Sequence, residues 1–542
     1  MYRPNEKHRK KQLFGFLNQL PRKIKDKLNN SPCCHFYEEV FCQLNEDRFA
    51  VLYSDKPSRP NIPINILVGL EILKYLYNLS DEQLFENYYL DIRYKIALGI
   101  QQMDEHFYTL RSLYNFRRRV VQYEQETGIN LVEEVFNELA IGFIEKAGIQ
   151  TDIIRMDSTQ ITSKMKALSR IDIMSRTLVK FLKSLKPDEQ EKHAEAYAVY
   201  LDDRLYDEHI AAIKQADESL KRLAEEILTI LKRYANTQYA QTRDYKVLER
   251  VLNDQTIIVE EQVQVKDNKA IAPDSVQTPV DEDATYRVKR GKAYHGYSAN
   301  FSETANPDNT TQMITGINVD ANVRSDSSFF KEDFQTLQKT TQIQTIIVDG
   351  GYANDETRRQ AEQAQTEMIE TAIKGRKPEK TTVDFDIDNT QGIRHCPAGK
   401  KPDETGIKNG NVWAFFPHET CQNCPLRNRC VVKEQKKRMK VHISLKRYAR
   451  DQQREYSKTK EFENLKRLRS GIEGLNSALK RTGLNTIQVV GKARVKMVVG
   501  YSSIASNFKR LIKVLGKRGT IGNSHIKQQG IALAQYGKQG II

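Results

Sequence analysis

The stretch TIIVDGG, residues 345–351, places one aspartate and two glycines directly after an apolar run. The run predicts a buried central strand, which Asp349 closes. An acidic side chain at the end of a buried strand costs free energy unless it is paired, hydrated or bound to a cation. Gly350 and Gly351 allow a sharp turn and the close approach of a ligand. Asp349 is therefore a candidate cation ligand, with a strand-end turn residue as the alternative.

A second predicted strand ends in the same way. In DIIRMDSTQITSK, residues 152–164, the apolar Ile154 and Met156 are followed at once by Asp157. Taken alone, Asp157 has the same alternative, a turn residue or helix cap. Two acidic strand ends in one sheet favour a shared cation over two separate turns.

The stretch RLRSGIEGLNSALK, residues 467–480, supplies a third carboxylate. As a helix it carries an apolar stripe, and Arg469, Glu473 and Lys480 share the adjacent face. Glu473 is either an exposed partner of Arg469, worth at most about 0.5 kcal/mol, or a metal ligand above a phosphate backbone. Three carboxylates from two strands and a helix can hold two Mg²⁺ ions, which activate a hydroxyl and stabilise a leaving oxygen.

The order of predicted elements defines the fold class. Three strands, a helix, a strand, a helix and a strand predict a mixed α/β sheet flanked by helices, with the first strand separated by a helical insertion. The insertion is interpreted as a dimerisation or spacer arm rather than a DNA contact. We expect five segments: a helical N-terminal domain at 1–145, the first part of the core at 146–375 with the insertion at about 168–255, a cysteine-rich insertion at 376–450, the last core helices at 451–515, and a flexible tail at 516–542.

The N-terminal segment carries local helix signals. Ser80 and Gln83 have capping-box spacing. The stretch YTLRSLYNFRRRVVQYEQ then places Arg117, Arg118 and Arg119 in a row. Two helices joined by a short turn, with arginines on the second, suit DNA docking. A helical bundle with a solvated basic face explains the same pattern.

Charge favours a polyanionic partner. The 542 residues include 85 Lys and Arg against 70 acidic residues, a formal net charge of +15, which favours association with nucleic acid. Two basic runs, KEQKKRMKVHISLKRYAR and NFKRLIKVLGKR, flank the third carboxylate and either follow a DNA backbone or form solvated faces. No secretory leader and no apolar segment of about 20 residues is found, so we expect a cytoplasmic protein without a membrane partner.

The cysteines predict a structural metal site. Four of the seven fall in one segment: Cys396, Cys421, Cys424 and Cys430. Four thiolates suit a closed tetrahedral Zn²⁺ site, with reduced structural cysteines as the alternative. His418 is a candidate substitute ligand or an ordinary surface residue. The remaining cysteines, Cys33, Cys34 and Cys42, are expected to pack as small hydrophobic residues.

Three motifs together resemble a known family. RMDST, IIVDGGY and RSGIEGLNSALKRTGL are similar to the acidic motifs of DDE transposases of bacterial insertion sequences, whose core resembles RNase H. In the third motif of these proteins a Tyr, an Arg, the catalytic Glu and a Lys recur with two, three and six residues between them. Arg469, Glu473 and Lys480 match, and Lys466 takes the tyrosine position. The helical N-terminal segment and AYHGYSANF also resemble these transposases, and similar cysteine patterns occur in related members.

The resemblance implies a function and a set of roles. Asp157, Asp349 and Glu473 would hold two Mg²⁺ or Mn²⁺ ions, and Arg469 and Lys480 would grip DNA phosphates. The N-terminal domain would recognise terminal inverted repeats. The protein would cut double-stranded DNA at the element ends and join the freed 3′-hydroxyl to target DNA.

The resemblance also implies an oligomer and a cellular location. The protein would act as a homo-oligomer, at least a dimer in the DNA complex, in the bacterial cytoplasm and on the nucleoid when bound to DNA. Two alternatives remain from the sequence: a catalytically silent, transposase-derived DNA-binding protein, and an RNase H-like metal nuclease.

Overall fold

The structure of the protein is a computed structural model. It describes residues 1–10, 16–29, 31–54, 56, 60–103, 107–165, 168–192, 198–199, 202–215, 218–260, 262–289, 291–372, 378–388 and 390–517. The predicted tail lies outside the described residues from 518 onward. The chain forms two compact units: the first unit is Met1–Asp152, Asp157–Ile343 and Glu473–Ile542, and the second unit is Ile153–Met156 and Gln344–Ile472.

The first unit begins with helices, as predicted for the N-terminal region. They are α1 Phe16–Gln19, α2 Arg22–Asn29, α3 Pro32–Glu39, α4 Ile64–Tyr77, α5 Asp81–Leu90, α6 Ile92–Ala97, α7 Leu110–Thr127 and α8 Leu131–Ala147. The capping box that begins α5 is confirmed, because the Gln83 amide donates to Ser80 Oγ and the Ser80 amide donates to Gln83 Oε1. Satisfying these amides explains why the helix starts at this residue.

A second group of helices follows in the same unit. These are α9 Arg170–Ser184, α10 Pro187–Lys192, α11 Asp203–Gln215, α12 Ser219–Tyr234 and α13 Arg243–Gln255. Their apolar faces meet in one core that includes Phe181, Ile227 and Leu248. A hairpin of β2 Thr256–Val259 and β3 Gln262–Val265 follows. The apolar residues of these helices, which recur at helical spacing in the sequence, therefore form packed faces.

In the first unit, β1 Ile153–Ser163 has β5 Lys292–Thr304 and β15 Thr486–Ile487 as neighbouring strands. The other strands are β4 Thr285–Lys289 and β6 Ile314–Ala321. Strand β5 pairs antiparallel with β4 and β6 and lies beside β1, while β15 pairs parallel with β1. Gly296 in β5 has φ 138°, and a Cβ there would overlap the Ile161 carbonyl. Helices α14 Asp326–Thr340 and α19 Lys492–Lys517 pack on β6.

The second unit contains a parallel arrangement and a separate antiparallel sheet. The start of β1 pairs parallel with β7 Thr345–Val348, which pairs parallel with β8 Glu367–Glu370. The further strands are β9 Asp386–Asp388, β10 Gly392–His395, β11 Glu404–Lys408, β12 Asn411–Phe416, β13 Lys433–Glu434 and β14 Met439–Ser444. The helices are α15 Asp355–Gln363, α16 His418–Gln422, α17 Leu445–Tyr456 and α18 Lys460–Leu479, whose last residues belong to the first unit.

The fold confirms a mixed α/β protein with a helical N-terminal region. The predicted order of strands and helices from β1 to β8 is present, with β2, β3 and β4 as additional strands. The antiparallel strands β11 to β14 were not predicted. Across the described ranges, no helix is both long and apolar enough to cross a membrane.

Candidate active site

The best-defined part of the site lies in the first unit, where Asp157 faces helix α18. Nδ2 of Asn476 donates a hydrogen bond to Oδ2 of Asp157 at 3.3 Å. Asn476 follows Glu473 by three residues, so the two side chains share one side of the helix. Leu475 and Leu479 are buried and Glu473 is exposed, which confirms the predicted amphipathic helix. The helix therefore presents Glu473 to solvent while Asn476 contacts the strand carboxylate.

Lysines gather beside Asp157. Burial lowers the pKa of Lys480 from its ordinary value, the neighbouring Lys292 and Lys289 lower it further, and Asp157 acts in the opposite direction. Lys289 and Lys292 pair across the turn between β4 and β5, and both are exposed. Lys480 thus experiences two other cations and one carboxylate in its surroundings. Such a cluster favours a bound anion, because an anion relieves the repulsion.

Asp349 lies in the second unit, directly after β7, and is partly exposed. The Gly350 amide donates to Asp349 Oδ1 at 2.8 Å, and the Tyr352 amide donates to the Asp349 carbonyl at 3.0 Å. These bonds form the local turn that the sequence offered as one role for this residue. They leave the carboxylate with further lone pairs, since an ionised carboxylate accepts about four hydrogen bonds or metal contacts.

Arg155 is a site residue that sequence reasoning missed. It pairs with Ile347 in the parallel register of β1 and β7, and a predicted carboxylate follows each partner two positions later along its strand. The Arg155 side chain is buried, and Nη1 donates to the Leu468 carbonyl of α18 at 2.5 Å. Its guanidinium occupies the space that a Cβ on Gly471 would need. Arg155 therefore joins β1 to α18 within the second unit, where Arg469 is also partly buried.

The positions of the His, Cys, Asp and Glu side chains bear on the prediction of a magnesium site. Within the described ranges, no three or more His, Cys, Asp or Glu side chains are grouped so as to hold a metal ion. The donor chemistry of Asp157, Asp349 and Glu473 suits Mg²⁺ or Mn²⁺, since carboxylate oxygens are the ligands these ions prefer. The magnesium prediction for these three residues stays a prediction.

The cysteine cluster gives no support to the zinc prediction. Cys396, Cys421, Cys424 and Cys430 are free thiols that line one small cavity, and none of their groupings has the arrangement of a metal site. Burial raises the pKa of Cys421 and Cys430, and the other thiols add to the shift. Three of the four pack against the apolar core of the antiparallel sheet. The zinc prediction is therefore not supported by this arrangement, and reduced structural cysteines stay the alternative.

Two other predicted features have local roles. His418 Nε2 lies 2.9 Å from the Gln435 carbonyl, the contact of an ordinary histidine near the surface. In the arginine row, Arg117 is not on a solvated face, because it is ion-paired with the fully buried Glu71 and with Asp81. Arg118 and Arg119 are exposed. Of these two, Arg119 lies over the Tyr53 ring, with its Cζ 4.8 Å from the ring centroid.

Two parts of the chain match known protein families. Residues 395–512 match the family described as Transposase DDE domain, and residues 25–119 match the family described as Transposase domain (DUF772). These two matches support a DDE transposase of an insertion-sequence type. The first match contains Glu473, Arg469 and Lys480, whereas Asp157 and Asp349 lie outside both matches.

Curated proteins and solved structures provide two further comparisons. No curated protein matches the chain. A solved structure, the cryo-EM structure of a piggyBac transposase synaptic complex with hairpin DNA, is 8% identical and aligns over 90% of this chain and 76% of that chain, with a TM-score of 0.30. A similarity at this level supports no conclusion about this chain, so the family assignment depends on the two family matches.

Proposed function

We propose that this transposase binds the terminal inverted repeats of an insertion sequence, cleaves the element ends and joins the freed 3′-hydroxyl to target DNA. The observation that carries the proposal is the group of Lys480, Lys289 and Lys292 beside Asp157. A phosphodiester is the anion that a transposase must hold, and its reacting phosphorus must lie next to the catalytic carboxylates. The lysine group supplies a phosphate site at that position.

The three carboxylates are proposed as the catalytic set of an RNase H-like core. Asp157, Asp349 and Glu473 would be the ligands of two Mg²⁺ or Mn²⁺ ions. When bound, such ions activate an attacking hydroxyl and stabilise the leaving oxygen. Each of the three carboxylates is at least partly exposed.

Further residues are proposed to hold the Asp157 carboxylate in place or to bind DNA. Asn476 holds the Asp157 carboxylate in one orientation through its hydrogen bond. Arg469 of α18 and Lys480, which follows the last residue of α18, would contact phosphates on either side of Glu473. The N-terminal helices of residues 1–145 are proposed to read the terminal repeats, with Arg118 and Arg119 available for DNA. Pairing two ends requires at least a dimer in the DNA complex.

The test is cleavage of a labelled duplex that carries the element's own ends, with Mg²⁺ or Mn²⁺, by wild type and by Glu473→Gln. Nicking at the end boundary is expected from wild type and is expected to disappear in Glu473→Gln, while DNA binding survives. Glu463→Gln is the matched control, because Glu463 is an exposed glutamate on the same helix. Equal cleavage by wild type and Glu473→Gln would overturn the assignment of Glu473. Binding without cleavage by either protein would support a silent DNA-binding protein.

A further inference from the structure

The antiparallel sheet of the second unit has two chemically different faces. Opposite residues in an antiparallel pair lie on the same face, so the register defines both sets. One face carries Val412, Ala414, Phe416, Val441 and Ile443, all buried. The other carries Trp413 and Phe415 of β12 with their partners Gly406 and Glu404 of β11 and His442 and Lys440 of β14. We call this second set the aromatic face.

Trp413, the only tryptophan in the chain, lies flat against a glycine. A Cβ added to Gly406 would lie 2.7 Å from Cζ2 and 3.1 Å from Cε2 of the indole. The missing side chain therefore gives the ring a flat seat on the neighbouring strand. The Phe415 ring is next to it, with centroids 5.3 Å apart. Both rings remain partly exposed, although large aromatic side chains are usually buried in a core when they serve folding alone.

Cations surround the two rings. The Arg438 guanidinium lies 3.3 Å from the Phe415 ring centroid, and Glu404 accepts a hydrogen bond from its Nη1 at 2.9 Å. Lys440 Nζ lies 5.7 Å from the same ring. The register puts two more exposed lysines, Lys408 and Lys433, on this face. Since Glu404 is engaged with Arg438, the excess charge around the rings is positive.

We propose that the aromatic face binds unpaired DNA bases. A partly exposed indole and a guanidinium plane offer flat surfaces on which any base can stack, and the surrounding lysines match the charge of the phosphates. A duplex keeps its base faces covered by neighbouring bases, so it can use the lysines but not the rings. The face therefore selects single-stranded or locally opened DNA over duplex. The inference rests on the proposed function for DNA as the partner, and uses residues separate from the proposed catalytic set.

The single tryptophan makes the test direct. Full-length protein is titrated with oligothymidylate and, separately, with a duplex of equal length, and the tryptophan emission is recorded together with the anisotropy of a labelled oligonucleotide. Stacking on Trp413 is expected to quench the emission in parallel with single-strand binding, and the duplex is expected to leave most of the emission unchanged. Unchanged emission at saturating single strand, or equal quenching by duplex, would overturn the proposal.

Variants separate stacking from charge. Trp413→Ala is expected to weaken single-strand binding roughly tenfold, the usual effect of losing one stacked base, whereas Trp413→Phe retains a ring and most of the affinity. Lys408→Ala is expected to lower the salt dependence of binding with the quenching intact. Cleavage of the element ends is measured on the same proteins. Loss of the quenching with cleavage intact contradicts only this inference, and loss of cleavage in Glu473→Gln with normal quenching concerns only the catalytic set.

Discussion

Asn476 donates a hydrogen bond to Asp157 at 3.3 Å, which links the helix that carries Glu473 to the strand that carries the first predicted carboxylate. The two residues are 319 positions apart in sequence. Both lie in the first unit. Two of the three proposed ligands are thus joined through one amide side chain, which is partly hidden from solvent and held by the helix.

Replacement of Asn476 by alanine is expected to lower cleavage of the element ends by roughly 10- to 100-fold, as for other residues that orient metal ligands. The loss is expected to be largest at limiting Mg²⁺, because the unrestrained carboxylate binds the ion less well. Cleavage rates across a Mg²⁺ titration measure this. Ser477→Ala, at the next and exposed position of the same helix, is expected to match wild type. An unchanged Mg²⁺ dependence in Asn476→Ala would contradict the positioning role.

Gly471 and Gly474 of α18 allow two glycine-to-alanine substitutions on one helix to be compared. A Cβ at Gly471 would overlap the Arg155 guanidinium, whereas one at Gly474 would meet nothing within 4 Å. Gly471→Ala is therefore expected to displace a buried arginine from the Leu468 carbonyl and to destabilise the protein by about 1–3 kcal/mol. Gly474→Ala is expected to be neutral or stabilising by up to about 1 kcal/mol, since alanine favours the helix. Urea unfolding of both variants measures these changes in stability. A lower urea midpoint for Gly474→Ala than for Gly471→Ala would contradict the expectation.

Local patterns predicted much of this molecule because they depend on neighbours in sequence. The capping box at Ser80, the strand that ends at Asp349 and the apolar stripe of α18 need only residues within one or two turns or a single strand. Such rules describe how one element satisfies its own backbone and buries its own face.

Contacts between distant residues were not predictable in the same way. Arg155 and Leu468 are 313 positions apart, and an arginine in a strand gives no sign that it will be buried beneath a helix glycine. Lys289 and Lys292 carry no signal in the sequence that relates them to Lys480, which lies nearly 190 residues later. The strands β11 to β14 were not predicted because each is only two to six residues long and the segment that contains them is rich in lysine. In β12, NVWAFF does alternate buried with partly exposed positions.

Arg117 and Arg118 are expected to behave in opposite ways despite being neighbours. Arg117 neutralises Glu71, whose side chain is almost fully buried, and also bonds to Asp81. Its removal leaves a buried carboxylate without a counter-charge, so Arg117→Ala is expected to cost about 3–5 kcal/mol of stability. Arg118 is exposed, and Arg118→Ala is expected to change stability by less than about 0.5 kcal/mol.

DNA binding separates the same two variants. Arg118→Ala is expected to weaken binding to the terminal repeat and to lower its salt dependence, since one phosphate contact is lost. Thermal unfolding and binding at two salt concentrations measure both effects. Equal stability of the two variants would contradict the structural role of Arg117, and unchanged binding by Arg118→Ala would remove Arg118 from the proposed DNA surface.

Asp333 is expected to make the stability of the protein depend on pH. Its carboxyl group is buried in the first unit, and Asn300 and Asn318 each donate a 2.6 Å hydrogen bond to it. Burial raises its pKa from near 3.8 to about 7, against the opposing effect of the two amides. Between these values the folded protein binds a proton that the unfolded chain does not, so stability is highest below about pH 4 and falls as pH rises to about 7. In this interval the contribution of Asp333 to stability falls by roughly 1.4 kcal/mol per pH unit.

Asp333→Asn removes this titration. The asparagine stays uncharged, and the facing amides can turn to offer an oxygen. The variant is therefore expected to lose the decline of wild type between about pH 4 and pH 7, measured as urea midpoints, and to gain relative to wild type at the higher pH. Asp308→Asn, at an exposed position, is expected to keep the wild-type profile. A decline of the same size in Asp333→Asn would show that another buried group causes it, and a flat wild-type profile would show that Asp333 ionises without cost.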